Sequence, residues 1–420
     1  MRDRVAWRWS AGVIASAVVA TSPHASAQSV IPSIEPGTRV QTIGLASQII
    51  YDSNVAGTSS SLAALRGIAP SDEIVSPSLS FELARPIGRE TVYLQGSAGY
   101  EFHLRNKLLN RENIDVRPGV IGQIAGCQVG LGGGYSRAQS DQSQLAFTPN
   151  GIITPAQQQN VLEVEQLGGT ASCGKATGFA PNLSVSETLT NNSSPIQRFT
   201  NARTFSASGG LAYRRPTFGA LSVFGSYSRT DYPDRAGLIN FGAGSIGNGF
   251  QTSSGGVIYT RSLGSRLRGT VSVSYTKLEN LGTALPGFGG LTNSANVTYQ
   301  LSSRIQFAGN VSRATAPSNR LNSSYSIQEA ISGQVLYQLG RRITLSGGGS
   351  SGHNIYDGVP YPIGFDLTDE KTYTVFGDAA FRLTQRLSFD LNVQHLQRNA
   401  NFPGLNYPDT RVGLTARATF

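Results

Sequence analysis

The sequence predicts an all-β chain: a transmembrane up-and-down antiparallel β-barrel of about 18 strands. Three observations predict it. The last twelve residues, 409–420, alternate, with Val412, Leu414, Ala416, Ala418 and Phe420 on one side of an extended strand and Arg411, Gly413, Thr415, Arg417 and Thr419 on the other. Similar stretches recur along the chain, separated alternately by short turns and by long loops rich in Asn, Gly and Pro. The composition is polar without being highly charged: 420 residues, 39% hydrophobic, 14% charged, 49 Gly, and a mean hydropathy of -0.16. No apolar run approaches the roughly 20 residues of a spanning helix. A barrel strand shows lipid only every second residue, so this balance suits it.

At the N-terminus, Arg2, Arg4 and Arg8 precede an apolar stretch from Ala11 to Ala20, and Ala25-Ser26-Ala27 offers a small-residue cleavage site. Residues 1–27 therefore read as a signal peptide, with the mature chain starting at Gln28. Its removal takes three Arg and one Asp, so the formal charge falls from +9 to about +7. That surplus suits either an anion-selective lumen or contact with lipopolysaccharide. Residues 28–40, with Pro32 and Pro36 and little alternation, read as a periplasmic lead-in or a small plug, and residues 41–420 as the barrel.

The first strand spans 41–51, with Ile43, Leu45, Ile49 and Tyr51 on one face, and ends in Tyr51-Asp52-Ser53-Asn54-Val55. Short turns follow near 86–89, 125–127, 174–178, 215–219, 264–266, 302–304, 340–342 and 384–386. Longer loops lie between them, among them 141–160, 231–249, 278–290, 314–323, 354–369 and 398–407. Short turns on one side and long loops on the other correspond to periplasmic and extracellular ends. The last four turns share the spelling Leu-x-x-Arg-apolar, from Leu263, Leu301, Leu339 and Leu383. Their Arg residues, 266, 304, 342 and 386, are spaced as one hairpin plus its outer loop; with no blade or helical signature, a hairpin repeat fits better than a solenoid. Two features strain the pattern. Glu187 and Glu329 fall on the lipid side, which implies a shifted register, a bulge or a place near the interface. Residues 160–173 alternate poorly.

The closing strand ending on Phe420 resembles the C-terminal signature of bacterial outer-membrane barrels, which implies Phe420 as an assembly signal read by the barrel assembly machinery. The Tyr51-Asp52-Ser53-Asn54-Val55 turn and the layout of strands and loops resemble the family putative beta-barrel porin 2, whose members open with a similar aromatic-Asp-x-Asn turn. The resemblance implies a passive channel in the outer membrane of a Gram-negative bacterium. Because such porins are often encoded beside exopolysaccharide genes, it also implies a conduit for a secreted polysaccharide, served by periplasmic export proteins. No cofactor, metal or nucleic-acid partner is expected.

The polar faces supply the candidate lumen residues: Arg105, Arg117, Arg268, Arg382, Arg411 and Arg417 with Glu101, Asp378 and Asp390. They either set ion preference through their local field or form salt bridges that fill the wall. Tyr93, Phe224 and Phe376 face the same way and are the candidates for an aromatic sugar slide. Cys127 and Cys173 flank a hairpin symmetrically about residue 150, as a cross-strand disulfide or as two thiols. A barrel hydrolase would need His353 or His395 within reach of an acid or Ser; no nucleophile motif accompanies them, and an enzyme is not expected. The triple glycines at 132–134 and 347–349 lack a following Lys or helix start and read as strand residues. The competing class is a plugged structural or adhesive barrel acting through its outer loops.

Overall fold

The computed structural model describes residues 36–140, 142, 159–174, 177–238, 248–281, 286–318, 323–357 and 367–420; the expected signal peptide lies outside them. The first six strands are β1 (Val40–Asp52), β2 (Asp72–Ile87), β3 (Glu90–His103), β4 (Arg111–Ile124), β5 (Cys127–Gln139) and β6 (Val161–Cys173). The next six are β7 (Gly178–Asn192), β8 (Ala202–Arg215), β9 (Gly219–Asp231), β10 (Gly249–Leu263), β11 (Leu267–Leu281) and β12 (Phe288–Gln300). The last six are β13 (Ile305–Pro317), β14 (Tyr325–Leu339), β15 (Ile343–Asp357), β16 (Asp369–Arg382), β17 (Leu387–Ala400) and β18 (Tyr407–Thr419). Each pairs antiparallel with the next, and β1 pairs with β18, so the 18-stranded sheet is closed.

Because side chains alternate across a strand, each paired register puts two residues on the same face. Leu45 with Ala418, Ile49 with Leu414 and Tyr51 with Val412 point outward at the seam, while Gln48 with Thr415 points inward. Around the rest of the barrel Val223, Val273, Leu291 and Val375 stand exposed on the outside. So large an uncovered apolar belt is unfavourable in water and suits a bilayer, where its exposure costs little. Among the described residues no helix is long and apolar enough to cross a membrane; the crossing is made by strands.

The short turns use two local devices. Gly264 and Gly340 take positive φ in the turns after Leu263 and Leu339, which glycine adopts without strain. In the turns after Leu301 and Leu383, a hydroxyl replaces the glycine: Ser302 Oγ accepts from the Arg304 and Ile305 N–H groups, and Thr384 Oγ1 from those of Arg386 and Leu387. The repeated Arg acts through its backbone. The carbonyls of Arg266, Arg304, Arg342 and Arg386 accept from Gln300, Gln338, Arg382 and Thr419, the ends of β12, β14, β16 and β18. The repeat thus pins the register between successive hairpins.

The Tyr51-Asp52-Ser53-Asn54 turn locks the seam. Asp52 and Asp409 both accept from the Asn54 N–H, at 2.8 and 3.2 Å, and both meet Arg411 Nε at 2.9 Å. Asn54 Nδ2 donates to the carbonyls of Thr58 and Pro408, and Ser53 N–H to that of Thr410. A motif in the first hairpin is therefore a clamp on the last strand.

One expectation needs physical correction. Several strands run past the point where the sequence reads as loop: β15 continues to Asp357 and β13 to Pro317. Their upper turns stand above the apolar belt, where cross-strand pairing persists without hydrophobic alternation. The same geometry accounts for Glu187 and Glu329. Their register is unshifted, and each lies in the upper half of its strand beside a cation, Arg203 and Arg313 respectively. In β6, Glu163 faces outward and pairs with Arg137, while Leu162 faces inward, which reverses the polarity that periodicity would read.

Cys127 and Cys173 open β5 and close β6 as direct partners and form a disulfide with Cα atoms 4.0 Å apart. The bond closes a loop of 46 residues in the unfolded chain. Chain-entropy scaling puts its stabilisation at up to about 4 kcal/mol. Thiol titration of denatured, non-reduced protein should find no free thiol, and a Cys127→Ser/Cys173→Ser variant should unfold at lower denaturant. Two free thiols would remove the disulfide. At the seam, Asp409→Ala should destabilise the barrel by about 3 kcal/mol, because a buried carboxylate shared by Arg411 and the Asn54 turn is lost; urea titration followed by heat-modifiable gel mobility reads it.

Candidate lumen and mouth

The inward positions divide the wall into two arcs. From β5 to β15 the register turns hydroxyls and amides to the lumen, many of them in cross-strand pairs. Ser184 meets Ser208 at 2.7 Å, Thr204 meets Thr230 at 3.0 Å, Ser226 meets Ser254 at 2.6 Å, Thr260 meets Thr270 at 3.1 Å and Ser274 meets Thr292 at 2.8 Å. Asn310 donates to Asn296 further round. Each paired hydroxyl keeps hydrogen-bonding capacity for water or solute. Among the described residues, the charges that face inward from these strands are Arg214 and Arg268, each one residue from the short-turn end.

The second arc, β16 to β18 and β1 to β4, carries the charge in layers. Arg382, Ser388 and Arg417 are direct partners at the short-turn end. One layer up, Asp390 is paired with Ala380 and Thr415. Above it, Asp378 accepts from Ser346 Oγ at 3.1 Å and from Asn392 Nδ2 at 2.9 Å. Across the seam Arg117 pairs with Asp115 at 3.0 Å, and Glu101 stands opposite Arg111. With Arg214 and Arg268, the bases of this lower layer form a cationic rim at the short-turn end, and carboxylates dominate the layers above. Arg411, at the long-loop end, is part of the seam clamp. Arg105 differs from the expectation. It lies two residues beyond the end of β3, where alternation no longer governs, and its guanidinium donates to Ser71 and Glu73.

The inward aromatics lie against glycines of the neighbouring strand. Tyr93 is 1% exposed and covers Gly119, where a Cβ would collide with its ring. Phe224 sits between Gly210 and Gly256, and a Cβ on Gly348 would come within 2.9 Å of Phe376 Cζ. A large ring fills the gap beside a residue without a side chain, a means of holding register. Tyr93 is thus part of the wall rather than a slide standing out from it, while Phe224 and Phe376 keep part of their surface open to the lumen. Sequence shows the aromatic but not the glycine facing it, because that pairing exists only once register is set.

The mouth at the long-loop end is built from loops that reach across it. The segment between β1 and β2 carries a short helix, α1 (Ser60–Leu65), and Leu62 packs against Tyr356, Leu367 and Leu405. From the same segment, buried Arg66 donates to the Ala56 carbonyl at 3.1 Å and to Gln142 Oε1 at 2.8 Å. Tyr356 is on β15 and Gln142 follows β5, four strands from β1 in either direction. A second tie centres on Arg235, whose guanidinium stacks 3.6 Å over the Tyr232 ring and donates to the carbonyls of Phe199 and Ser318. Burial lowers the Arg235 pKa from its ordinary value. At the opposite end, the Gly37 N–H donates to Thr91 Oγ1 on the inner face, so the described part of the lead-in runs along the inside of β3.

Of the three histidines among the described residues, His103 is on the inner face but buried, and His353 and His395 are on the outer face. His103 holds buried Asp72 at 3.1 Å, and His395 meets Thr410 at 2.8 Å. His353 points outward with Nε2 2.6 Å from Asp369 and Nδ1 3.8 Å from Glu329. The acid that a hydrolase would need is thus within reach of His353, but both ring nitrogens face carboxylates, and among the described residues neither meets a hydroxyl to activate.

The closed barrel has counterparts among known proteins. Residues 244–420 match the family model of putative beta-barrel porin 2. The match covers β10 to β18, including the Leu-x-x-Arg turns, and the Tyr51–Val55 motif lies outside it. No curated protein matches the chain. Among solved structures, the siderophore receptor PirA from Acinetobacter baumannii aligns with a TM-score of 0.50 at 8% identity, over 91% of this chain and 81% of that one. The outer membrane protein opdK from Pseudomonas aeruginosa aligns at 0.49 and 10% identity, over 91% and 99%. OccK2 (OpdF) from the same organism, in complex with glucuronate, aligns at 0.48 and 10%, over 90% and 98%. At these identities the likeness concerns the fold, that of outer-membrane barrels.

Among the described residues, the buried Tyr93 hydroxyl has no hydrogen-bond partner. Tyr93→Phe should therefore keep or raise stability and leave conductance unchanged, while Gly119→Ala should cost about 1–3 kcal/mol by overpacking. Paired denaturant titrations and bilayer recordings distinguish this wall role from a slide, for which Tyr93→Phe would alter solute block.

Proposed function

We propose that this chain is a passive outer-membrane channel whose cargo is a secreted exopolysaccharide. The observation that carries the reading is the hydroxyl- and amide-faced arc from β5 to β15, uncharged above Arg214 and Arg268 at its rim. A glycan chain exchanges hydroxyl hydrogen bonds with such a wall at many weak sites, which permits both entry and release. The cationic rim of Arg214, Arg268, Arg382 and Arg417 at the short-turn end gives an acidic glycan an attractive entrance. The resemblance to putative beta-barrel porin 2 supports the same cargo, with periplasmic export proteins as partners at that rim. Phe420 is 66% exposed, and its backbone pairs with Ile43 at 2.8 and 3.3 Å, a place that supports its reading by the assembly machinery.

A second reading has its own support, the ties of Arg66 and Leu62 on opposite sides of the mouth: a barrel closed at rest that opens when a partner engages it.

Single-channel recording of the folded chain in planar bilayers tests both. Steady conductance is expected, blocked by acidic oligosaccharides added on the short-turn side, with the block weakened several-fold in Arg382→Gln/Arg417→Gln. Ser226→Val/Ser254→Val should weaken block by neutral and acidic oligosaccharides alike. A silent bilayer that becomes conducting in Leu62→Ala/Arg66→Ala would favour the closed barrel. Conductance indifferent to every oligosaccharide would sink the polysaccharide cargo.

A further inference from the structure

The outer face carries charges that neither the lumen nor the seam uses. Arg313, Glu329, His353 and Lys371 are direct cross-strand partners on β13, β14, β15 and β16, and they point outward beside the apolar belt. Arg313 Nε is 3.4 Å from Glu329 Oε1, and His353 is held by Asp369 and Glu329. Lys371 is exposed and makes no ion pair among the described residues. All four lie in the long-loop halves of their strands. Exposed ion pairs contribute roughly 0–1 kcal/mol, so stability alone does not explain the row. A charge on the lipid face costs least near the interface, and the row stands at that level.

Directly below lie Val311 and Ile331, and then Gly309, Gly333 and Gly349, again direct partners on the outside. A Cβ on Gly309 would meet its nearest atom at 3.4 Å and one on Gly333 at 4.0 Å, both ordinary contacts. The wall therefore does not itself require glycine at these two positions, whereas inward-facing Gly348 has no room for a Cβ. The outside of β13 to β15 is left as a shallow trough beneath a charged row.

We propose that the outer face of β13 to β16 seats one lipopolysaccharide molecule of the outer leaflet, with its phosphates on Arg313 and Lys371 and an acyl chain in the glycine trough. The distance between the two cations selects this occupant. Arg313 and Lys371 are three strand spacings apart, roughly 14 Å, a span that suits a headgroup bearing two phosphates and exceeds the reach of a single phospholipid headgroup. Glu329 and Asp369 keep Arg313 and His353 oriented. The seat depends on the barrel being in the outer membrane and not on what passes through it.

The test uses the full folded chain in detergent, its fold checked by heat-modifiable gel mobility, with native mass spectrometry after addition of diphosphoryl lipid A, monophosphoryl lipid A or phosphatidylglycerol. The wild type should retain one diphosphoryl lipid A, with monophosphoryl lipid A held several-fold less. Arg313→Gln/Lys371→Gln should reduce retention at least tenfold. Gly333→Leu, which fills the trough and leaves the charges, should also reduce it. Arg261→Gln, outward-facing at the short-turn end, should not. Equal retention by the double variant, or phosphatidylglycerol held as firmly as lipid A, would overturn the proposal. So would light scattering showing that this face closes an oligomer of the chain that the double variant loses.

Discussion

Everything in this barrel depends on the pairing of β1 with β18. Within hydrocarbon an unpaired strand edge leaves its N–H and C=O groups without partners, at several kcal/mol each, so a spanning sheet has to close. The seam is made by backbone register from Gly44 with Thr419 to Asp52 with Arg411, and the Asp52, Asn54, Asp409 and Arg411 clamp fastens its long-loop end. At the short-turn end the Ile43 and Phe420 backbones complete it. The polar contacts needed at the closure are concentrated above the apolar belt, where charged and amide groups remain near water.

Closure gives the chain two surfaces with different solvents, and the charged residues sort accordingly. On the inside, guanidinium groups gather at the short-turn rim and carboxylates above, while more than half the wall stays neutral. On the outside, the ion pairs among the described residues gather in the long-loop halves of the strands, from Arg137 with Glu112 and Glu163 to His353 with Asp369. Glycines sort too: those under Tyr93 and Phe376 are required by ring packing, whereas at Gly309 and Gly333 a Cβ would meet only ordinary contacts. Mouth and rim are thus specialised separately from the wall, through Arg66 and Arg235 at one end and the cationic layer at the other.

Much of this was legible in the sequence because a barrel strand repeats every two residues and its turns repeat with the hairpin. Strand number, the short and long ends, and the meeting of Cys127 with Cys173 follow from counting along the chain. The inward side of Arg117, Arg268, Arg382, Arg417, Asp378 and Asp390 follows from parity. Counting fails where parity stops. Arg105 is beyond its strand, Leu162 and Glu163 reverse the usual polarity above the belt, and the loops after 354 and 314 begin later than their composition suggests.

Alternation with a period of two, the absence of a long apolar run and the spacing of turns were sufficient for the sequence alone to determine a closed antiparallel barrel and which residues share a face. These are local properties, set by backbone geometry and by the two solvents the faces meet. Which residues stand opposite one another was decided only by the tertiary structure. Cross-strand register joins positions far apart in the chain, and through it Tyr93 covers Gly119, Asp52 meets Arg411, Leu62 reaches Tyr356, and Arg313, Glu329, His353 and Lys371 form one row.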